Sequence, residues 1–173
     1  MEALHWAIVI FPDFAPAQRA IIDRIRAAYD PLAPTIEPHI TLVFPFTAQL
    51  STDELLAHMR SSAAIIAPFE ITLRGITGEQ DEWLFLNVKR GNDPIIALHD
   101  QLYSGPLAPY LEPRYTYVPH LTVGHLAPGP RFDAALREVN GQTETFHTTV
   151  RAITAYRIAG NERRAEKYSV ALS

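Results

Sequence analysis

The 173-residue sequence contains no cysteine. That absence excludes disulfide bonds, thiolate nucleophiles, cysteine-ligated zinc and iron–sulfur clusters. It suits a reducing compartment, and the first residues lack the basic region and apolar run of a signal peptide, so we expect a cytoplasmic protein. No apolar run approaches the ~20 residues that a membrane-spanning helix needs, so no membrane association is expected.

Glycine and positive charge are also scarce. The eight glycines form no glycine-rich loop of the kind that cradles the phosphates of a nucleotide. Fifteen basic residues against nineteen acidic residues give a net charge of −4, which argues against a protein that follows long nucleic acids. The sequence also lacks the histidine and carboxylate spacings of a metal site, so neither a metal nor another cofactor is predicted.

Hydrophobic periodicity predicts an α+β chain in which one order of elements, β-α-β-α-β, occurs twice before a last strand. The predicted strands are 4–11, 39–44, 69–77, 82–89, 120–126, 143–159 and 166–172. The predicted helices are 15–29, 51–67, 92–104 and 131–139. The proline-rich stretch 105–119 has no helical period. We expect a single bilobal domain over 1–173, with pseudo-repeats at about 1–81 and 82–173.

Prolines and capping residues set several of the predicted boundaries. Pro45 is expected to end the second strand, because it cannot donate to a strand ladder. Ser51 and Glu54 have the spacing of a capping box at the start of the second helix. Asn92 or Asp93 is expected to cap the third helix.

Two segments of five residues repeat each other, Pro38-His39-Ile40-Thr41-Leu42 and Pro119-His120-Leu121-Thr122-Val123. Residues i and i+2 share a strand face, so each segment presents a histidine and a threonine on one face and aliphatic residues on the other. A lone His-x-Thr arises by chance too often to carry weight, whereas two copies preceded by proline do not. A third His-x-Thr, at His147, lacks the proline and is interpreted as a surface strand segment.

Histidine and threonine at this spacing suit phosphoryl chemistry. Imidazole titrates near neutrality, so His39 and His120 can serve as a general base and a general acid, in an order that the sequence leaves open. The hydroxyls of Thr41 and Thr122 can donate to phosphate oxygens where charge increases. If both segments face one cleft, the histidines can run an in-line displacement at phosphorus from opposite sides.

The paired motifs resemble those of the 2H phosphoesterase superfamily. The longer segments PHITLVFPF, 38–46, and YVPHLTVG, 117–124, are similar to its 2′-5′ RNA ligase-like branch. The resemblance implies an α+β, bilobal, duplicated fold in which two antiparallel sheets, flanked by helices, surround a central cleft. By motif match it also implies that the two histidines are the catalytic pair and the two threonines the phosphate ligands.

The activity implied by the resemblance is metal-independent cleavage of cyclic phosphodiesters. Typical substrates are 2′,3′-cyclic nucleotides and 2′,3′-cyclic phosphate ends of RNA, and some members join RNA ends through a 2′-5′ bond. We therefore expect a nucleotide or RNA end as partner, no protein partner, and a monomer. Two alternatives stay open: a non-catalytic module that binds a nucleotide or RNA end in the same cleft, and a metal-dependent hydrolase with His39 and His120 as ligands.

Three residues close before the second motif are weaker candidates for substrate binding. Tyr115 and Tyr117 can either stack on a base or pack the proline-rich loop. Arg114 can either meet a phosphate or remain an exposed charge of the loop.

Strand periodicity also predicts where the remaining side chains point. On the strand 82–89, alternation places four residues on one face: Trp83, Phe85, Asn87 and Lys89. We interpret this face as core, with the lysine reaching solvent, rather than as the floor of a cleft. His125 follows His120 by five residues, an odd offset, and is expected on the opposite face of its strand.

Overall fold

The computed structural model describes residues 4–157 and 166–173, and within them it contains eight strands, four α-helices and one 3₁₀ helix. The strands are β1 (Leu4–Ile10), β2 (Ile40–Ala48), β3 (Phe69–Glu79), β4 (Trp83–Arg90), β5 (His120–His125), β6 (Thr145–Val150), β7 (Ala152–Arg157) and β8 (Lys167–Ala171). The helices are α1 (Pro16–Tyr29), α2 (Thr52–Ala63), α3 (Asn92–Leu102), α4 (Pro130–Val139) and the 3₁₀ helix Gly105–Tyr110. The doubled β-α-β-α-β order predicted from the sequence is present.

The eight strands form one antiparallel sheet in the order β6-β3-β4-β5-β2-β1-β7-β8. The two sheets expected from the resemblance are thus two halves of one sheet, β6-β3-β4-β5 and β2-β1-β7-β8. Ile40 of β2 lies opposite Leu121 of β5 and joins the halves. The α+β class and the duplicated arrangement around this junction are confirmed.

Helices cover one face of the sheet. Helix α1 packs against β5 and α4 against β3, whereas α3 packs against β2 and α2 against β7 and β8. On β4 the side chains of Leu84, Leu86 and Val88 are buried, whereas those between them are at most half-buried. The uncovered side is called here the cleft face. Among the described residues, no helix is both long enough and apolar enough to span a membrane.

Strand β2 continues beyond Pro45, so the prediction that this proline ends the strand is wrong. Trp6 of β1 lies opposite Phe46, but Ile8 lies opposite Val43, which leaves one extra residue on β2. The resulting bulge falls at Pro45 and its predecessor. A proline is tolerated there because a bulge already interrupts the ladder and needs no N–H donor.

The predicted strand 143–159 is two strands in opposite halves of the sheet. Strand β6 pairs with β3, whereas β7 pairs with β1 and β8. The chain changes partner at Arg151, which is exposed. No glycine or proline marks the change, so the sequence reads as one continuous strand. Residues 158 and 159 of this prediction lie outside the described residues.

The predicted capping residues are confirmed at the start of α2 but are wrong at the start of α3. The Ser51 hydroxyl accepts from the Glu54 N–H, and the Glu54 carboxylate accepts from the Ser51 N–H, which is the predicted capping box. Helix α3 instead begins after Gly91, which has φ 93°. Glycine has no Cβ and adopts this backbone conformation without strain. Asn92 lies inside the helix and donates to the Val88 carbonyl.

The proline-rich stretch 105–119 is not wholly irregular. Its first six residues form the 3₁₀ helix, and Leu107 there is buried in the core. Prolines suit short helical turns at positions where their missing N–H would have no partner. The remainder, called here the loop 111–119, runs to the start of β5.

Candidate active site

The two repeated motifs lie where the halves of the sheet meet. Their central residues, Ile40 and Leu121, are opposite each other in antiparallel register. Continued by one residue on either side, this register sets the histidine of each motif opposite the threonine of the other. Opposed residues of an antiparallel pair point to the same face, so four side chains gather on the cleft face. All four are half-buried, and they are His39, Thr41, His120 and Thr122.

Both histidine rings are held in the same way. Nδ1 of His39 is 2.8 Å from the carbonyl oxygen of Glu37, and Nδ1 of His120 is 2.7 Å from that of Val118. A carbonyl oxygen can only accept, so Nδ1 donates and carries the proton of the neutral ring. In each histidine, Nε2 therefore keeps its lone pair and is the atom available for proton exchange.

Aromatic neighbours orient both imidazole rings. Phe85 of β4 stacks on His120, with the ring centroids 3.6 Å apart and the planes at 19°. His39 has edge contacts with Phe11 and Tyr156, at centroid distances of 6.1 and 6.4 Å. Such contacts restrict the rotamers of the histidines and exclude water from part of each ring. Phe11 and Tyr156 belong to no local motif, so their sequence positions alone do not indicate a role in the site.

Burial lowers the pKa of both His39 and His120, because the charged imidazolium loses hydration. The hydrogen bond to a backbone carbonyl opposes this effect in both rings. The nearby charges differ: the Arg26 guanidinium and the His120 ring lower the pKa of His39, whereas Asp30 raises it. Glu79 raises the pKa of His120. Charges of both signs therefore act on His39, whereas the charged neighbour of His120 only raises its pKa.

Strand β4 forms the part of the cleft face next to His120. The prediction that this side of the strand is core is wrong, because the opposite side, with Leu84 and Leu86, is the buried one. Strand alternation separates two faces but does not say which is covered, and the all-aliphatic face is the better choice for core. The four residues on the cleft face, half-buried or exposed, are Trp83, Phe85, Asn87 and Lys89.

His125 lies on the same face as His120, contrary to the prediction. Gly124 and Thr122 lie opposite consecutive residues of β4, so the residue between them is extra. This bulge reverses the alternation and returns His125 to the cleft face, where its ring stacks on Trp83 with centroids 3.7 Å apart and planes at 1°. Even so, no three His, Cys, Asp or Glu side chains within the described residues are grouped to hold a metal ion.

The loop 111–119 carries the three weaker candidates. Tyr117 donates its hydroxyl to the carbonyl oxygen of Thr41 at 2.8 Å, and its ring stacks on a histidine of α3. These contacts favour the packing alternative for Tyr117. Arg114 donates two side-chain hydrogen bonds to the Glu112 carboxylate and lies over the ring of Tyr115, which is exposed. A substrate role for Arg114 and Tyr115 stays a prediction.

An ion pair that no sequence pattern indicates lies beside His39. Lys167 at the start of β8 pairs with the Glu37 carboxylate, and its Nζ is 4.3 Å from the ring centroid of Phe11. The hydrogen bond from Lys167 lowers the pKa of Glu37. The backbone carbonyl of Glu37 holds the His39 ring, so the ion pair with Lys167 fixes the residue that holds this ring to strand β8. Both side chains are about half exposed, so the pair adds little stability.

Comparison with known protein families agrees with this geometry. The family model described as the 2′-5′ RNA ligase superfamily matches residues 12–162. The chain belongs to the 2′-5′ RNA ligase superfamily. Relatives of this superfamily member include proteins of Geobacillus kaustophilus and Geobacillus thermodenitrificans, each named "Putative phosphoesterase". They are 32% and 30% identical to it over 155 residues, covering 85% of this chain and 84% of each relative.

Solved structures share the superfamily fold. Escherichia coli LigT complexed with 3′-AMP aligns with a TM-score of 0.65 at 18% identity over 99% of each chain. The protein TT0787 of Thermus thermophilus aligns with a TM-score of 0.63 at 16% identity over 98% of each chain. The resemblance to 2H phosphoesterases that the motifs indicated is confirmed, and the protein belongs among phosphoesterases of this superfamily.

Proposed function

We propose that this protein is a metal-independent 2H-type phosphoesterase that opens cyclic phosphodiesters. The substrate is a 2′,3′-cyclic nucleotide or the 2′,3′-cyclic phosphate end of an RNA. The observation that carries the proposal is the junction of β2 and β5, where two His-Thr pairs share one face. Each histidine there donates Nδ1–H to a backbone carbonyl, which leaves two Nε2 atoms for one substrate.

The reaction needs one proton acceptor and one proton donor. Nε2 of the first histidine takes a proton from water as the water oxygen bonds to phosphorus. The bond from phosphorus to the 2′ or 3′ oxygen breaks on the opposite side, and Nε2–H of the second histidine protonates that leaving oxygen. The products are a phosphate monoester and a free hydroxyl. Thr41 and Thr122 donate to the non-bridging oxygens, where negative charge increases in the transition state.

We assign the base to His39 and the acid to His120. Burial is the main cause of the lowered pKa of His39, while the ion-paired charges of Arg26 and Asp30 act on it in opposite directions. Glu79, a negative charge, raises the pKa of His120 and supports a protonated ring. A base must start neutral and an acid must start protonated, so the assignment rests on the negative charge near His120.

The same arrangement of side chains can also catalyse the reverse reaction, the joining of two RNA ends. An RNA 5′-hydroxyl in place of water attacks the cyclic phosphate, and the two proton transfers yield a 2′-5′ bond. The name of the matched family describes this reaction. The net charge of −4 supports a mononucleotide or a short RNA end as substrate rather than a long RNA.

The test is incubation with 2′,3′-cyclic AMP and 2′,3′-cyclic GMP in EDTA, with products resolved by chromatography. We expect a 2′- or 3′-monophosphate from the unaltered protein. His39→Ala and His120→Ala should each lose about 10²–10⁴-fold in rate, the usual contribution of a general acid or base. His147→Ala is the matched control, because His147 also belongs to a His-x-Thr but is exposed on β6. It should keep full activity.

Each other outcome points to a different function. Full turnover by either motif variant would overturn the two-histidine mechanism. Turnover that disappears in EDTA and returns with added metal would favour a metal-dependent hydrolase. Calorimetric binding of the cyclic nucleotide without conversion would favour a binding module.

A further inference from the structure

Two tyrosine hydroxyls form hydrogen bonds with backbone groups of β2 beyond its pairing with β5. The pairing of the two strands includes Ile40 opposite Leu121, and no later residue of β2 has a ladder partner on β5 among the described residues. Tyr117 donates its hydroxyl to the carbonyl oxygen of Thr41 at 2.8 Å, and the Phe44 N–H donates to the hydroxyl of Tyr103 at 3.1 Å. Each hydroxyl takes the place of the main-chain partner that a neighbouring strand would supply.

The ring of Tyr117 is fixed by α3. It stacks on His99, with centroids 3.8 Å apart and planes at 11°. His99 is itself buried, and its Nδ1 is 2.9 Å from a carboxylate oxygen of Asp100. Burial raises the pKa of the Tyr117 phenol, so the hydroxyl stays protonated and remains a donor to Thr41.

The position of Tyr117 also connects the two motifs. It precedes His120 by three residues, and its neighbour Val118 provides the carbonyl that anchors the His120 ring. Its hydroxyl holds the peptide group of Thr41, whose side chain lies on the cleft face. The hydrogen bond therefore links the loop 111–119, which leads to the second motif, with β2, which carries the first.

We propose that Tyr117 is a positioning residue that directs the Thr41 hydroxyl to the phosphate and sets the spacing of the two motifs. This inference rests on the proposed function, in which Thr41 donates to a phosphate oxygen. The hydrogen bond restrains rotation of the peptide after Thr41 and hence the direction of its side chain. Small displacements of a group that contacts the reacting phosphate lower the rate steeply, by about 10²-fold for 1 Å.

The test compares Tyr117→Phe with Tyr103→Phe, each made alone and together with Thr41→Val. Both phenylalanine variants keep the ring and remove one hydroxyl bonded to the β2 backbone, so their stability losses should be similar. With 2′,3′-cyclic AMP, Tyr117→Phe should lower kcat about tenfold with little change in KM, as expected for an interaction that matters in the transition state. Tyr103→Phe should leave kcat nearly unchanged.

The Thr41→Val background separates positioning from general loosening. If Tyr117 acts through the Thr41 hydroxyl, Tyr117→Phe should cause no further loss once that hydroxyl is gone. Binding of adenosine 2′- and 3′-monophosphate, measured by calorimetry, gives a second readout that needs no turnover. Tyr117→Phe should weaken this binding in the unaltered background and not in the Thr41→Val background.

The results distinguish this inference from the proposed function. Additive losses in the double variant, or equal losses in the two phenylalanine variants, would overturn the positioning role and leave the proposed function standing. If cyclic nucleotides are bound but not turned over, the role of Tyr117 is decided by calorimetry alone, through the effect of Tyr117→Phe on monophosphate binding with and without Thr41→Val. An unaltered protein that neither converts cyclic nucleotides nor binds the monophosphates would overturn both proposals.

Discussion

Phe85 lies almost flat against His120, with the ring centroids 3.6 Å apart and the planes at 19°. Phe85 is also the residue of β4 that lies opposite Thr122. One aromatic side chain is therefore next to both members of the second motif. The stack covers one side of the imidazole and contributes to the burial that lowers the pKa of His120.

Replacing Phe85 by alanine should raise the pKa of His120 toward its ordinary value, because water then reaches the imidazolium. NMR titration of the ring protons of His120 measures this shift. Trp83→Ala is the matched control, since it removes an equivalent stack from His125, and it should leave the titration of His120 unchanged. If Phe85→Ala leaves it unchanged too, the stack does not desolvate the ring.

The pH–rate profile should be bell-shaped, with its maximum below about pH 6.5, the ordinary pKa of histidine. The base must be neutral and the acid protonated, and burial lowers the pKa of both rings. Glu79→Gln removes a charge that raises the pKa of His120, so the alkaline limb should move to lower pH. Glu70→Gln, on the same strand and paired with Arg90, should not move it. Movement of the acidic limb instead would reverse our assignment of base and acid.

Folding stability should also fall in acid. A histidine with a lowered pKa in the folded state binds fewer protons there than in the unfolded chain, so the free energy of unfolding decreases as pH drops below about 6.5 and levels off below the folded pKa values. The double variant His39→Gln with His120→Gln should show a smaller decrease. Urea unfolding across this pH range measures it, and an identical decrease in the double variant would mean that other groups are responsible.

The ion pair at the end of α1 should contribute more to stability than its exposed counterpart. Arg26 Nε and Asp30 Oδ2 are 2.8 Å apart, with side chains 3% and 5% exposed. Asp30→Asn should cost about 3–5 kcal/mol, because it leaves a buried guanidinium uncompensated. Asp23→Asn breaks the pair Arg19–Asp23, which has the same i,i+4 spacing but side chains 36% and 47% exposed, and should cost less than about 1 kcal/mol. Urea unfolding measures both; equal small losses would indicate that water reaches Arg26.

The motif residues could be predicted because their pattern is local and repeated. No bulge separates His120 from Thr122, so the two-residue period placed both on one face. The same period failed at His125, and the rule that a proline ends a strand failed at Pro45; in both places a strand contains one residue more than its partner. A bulge depends on how two strands twist and pair, which the sequence of one strand does not specify.

The surroundings of the motif residues depend on contacts that are distant in sequence. Lys167 is 130 residues from Glu37, and Tyr117 is 76 residues from Thr41. No spacing rule connects such positions. The exchange of partner at Arg151 could not be predicted for a similar reason, because both strands have ordinary strand composition and only the assembled sheet separates them.

One half of the sheet draws its strands from distant parts of the chain, and the other does not. Among the described strands, the half β2-β1-β7-β8 combines the first two with the last two, whereas the half β6-β3-β4-β5 uses the four consecutive strands between them. A cut between β3 and β4 would leave neither fragment with a complete half of the sheet, and the unpaired strand edges would be free to associate with other chains. The buried core is one cluster with residues from both halves, so heat or urea should disrupt the halves in one cooperative transition, and severed fragments would regain either half only by reassociating.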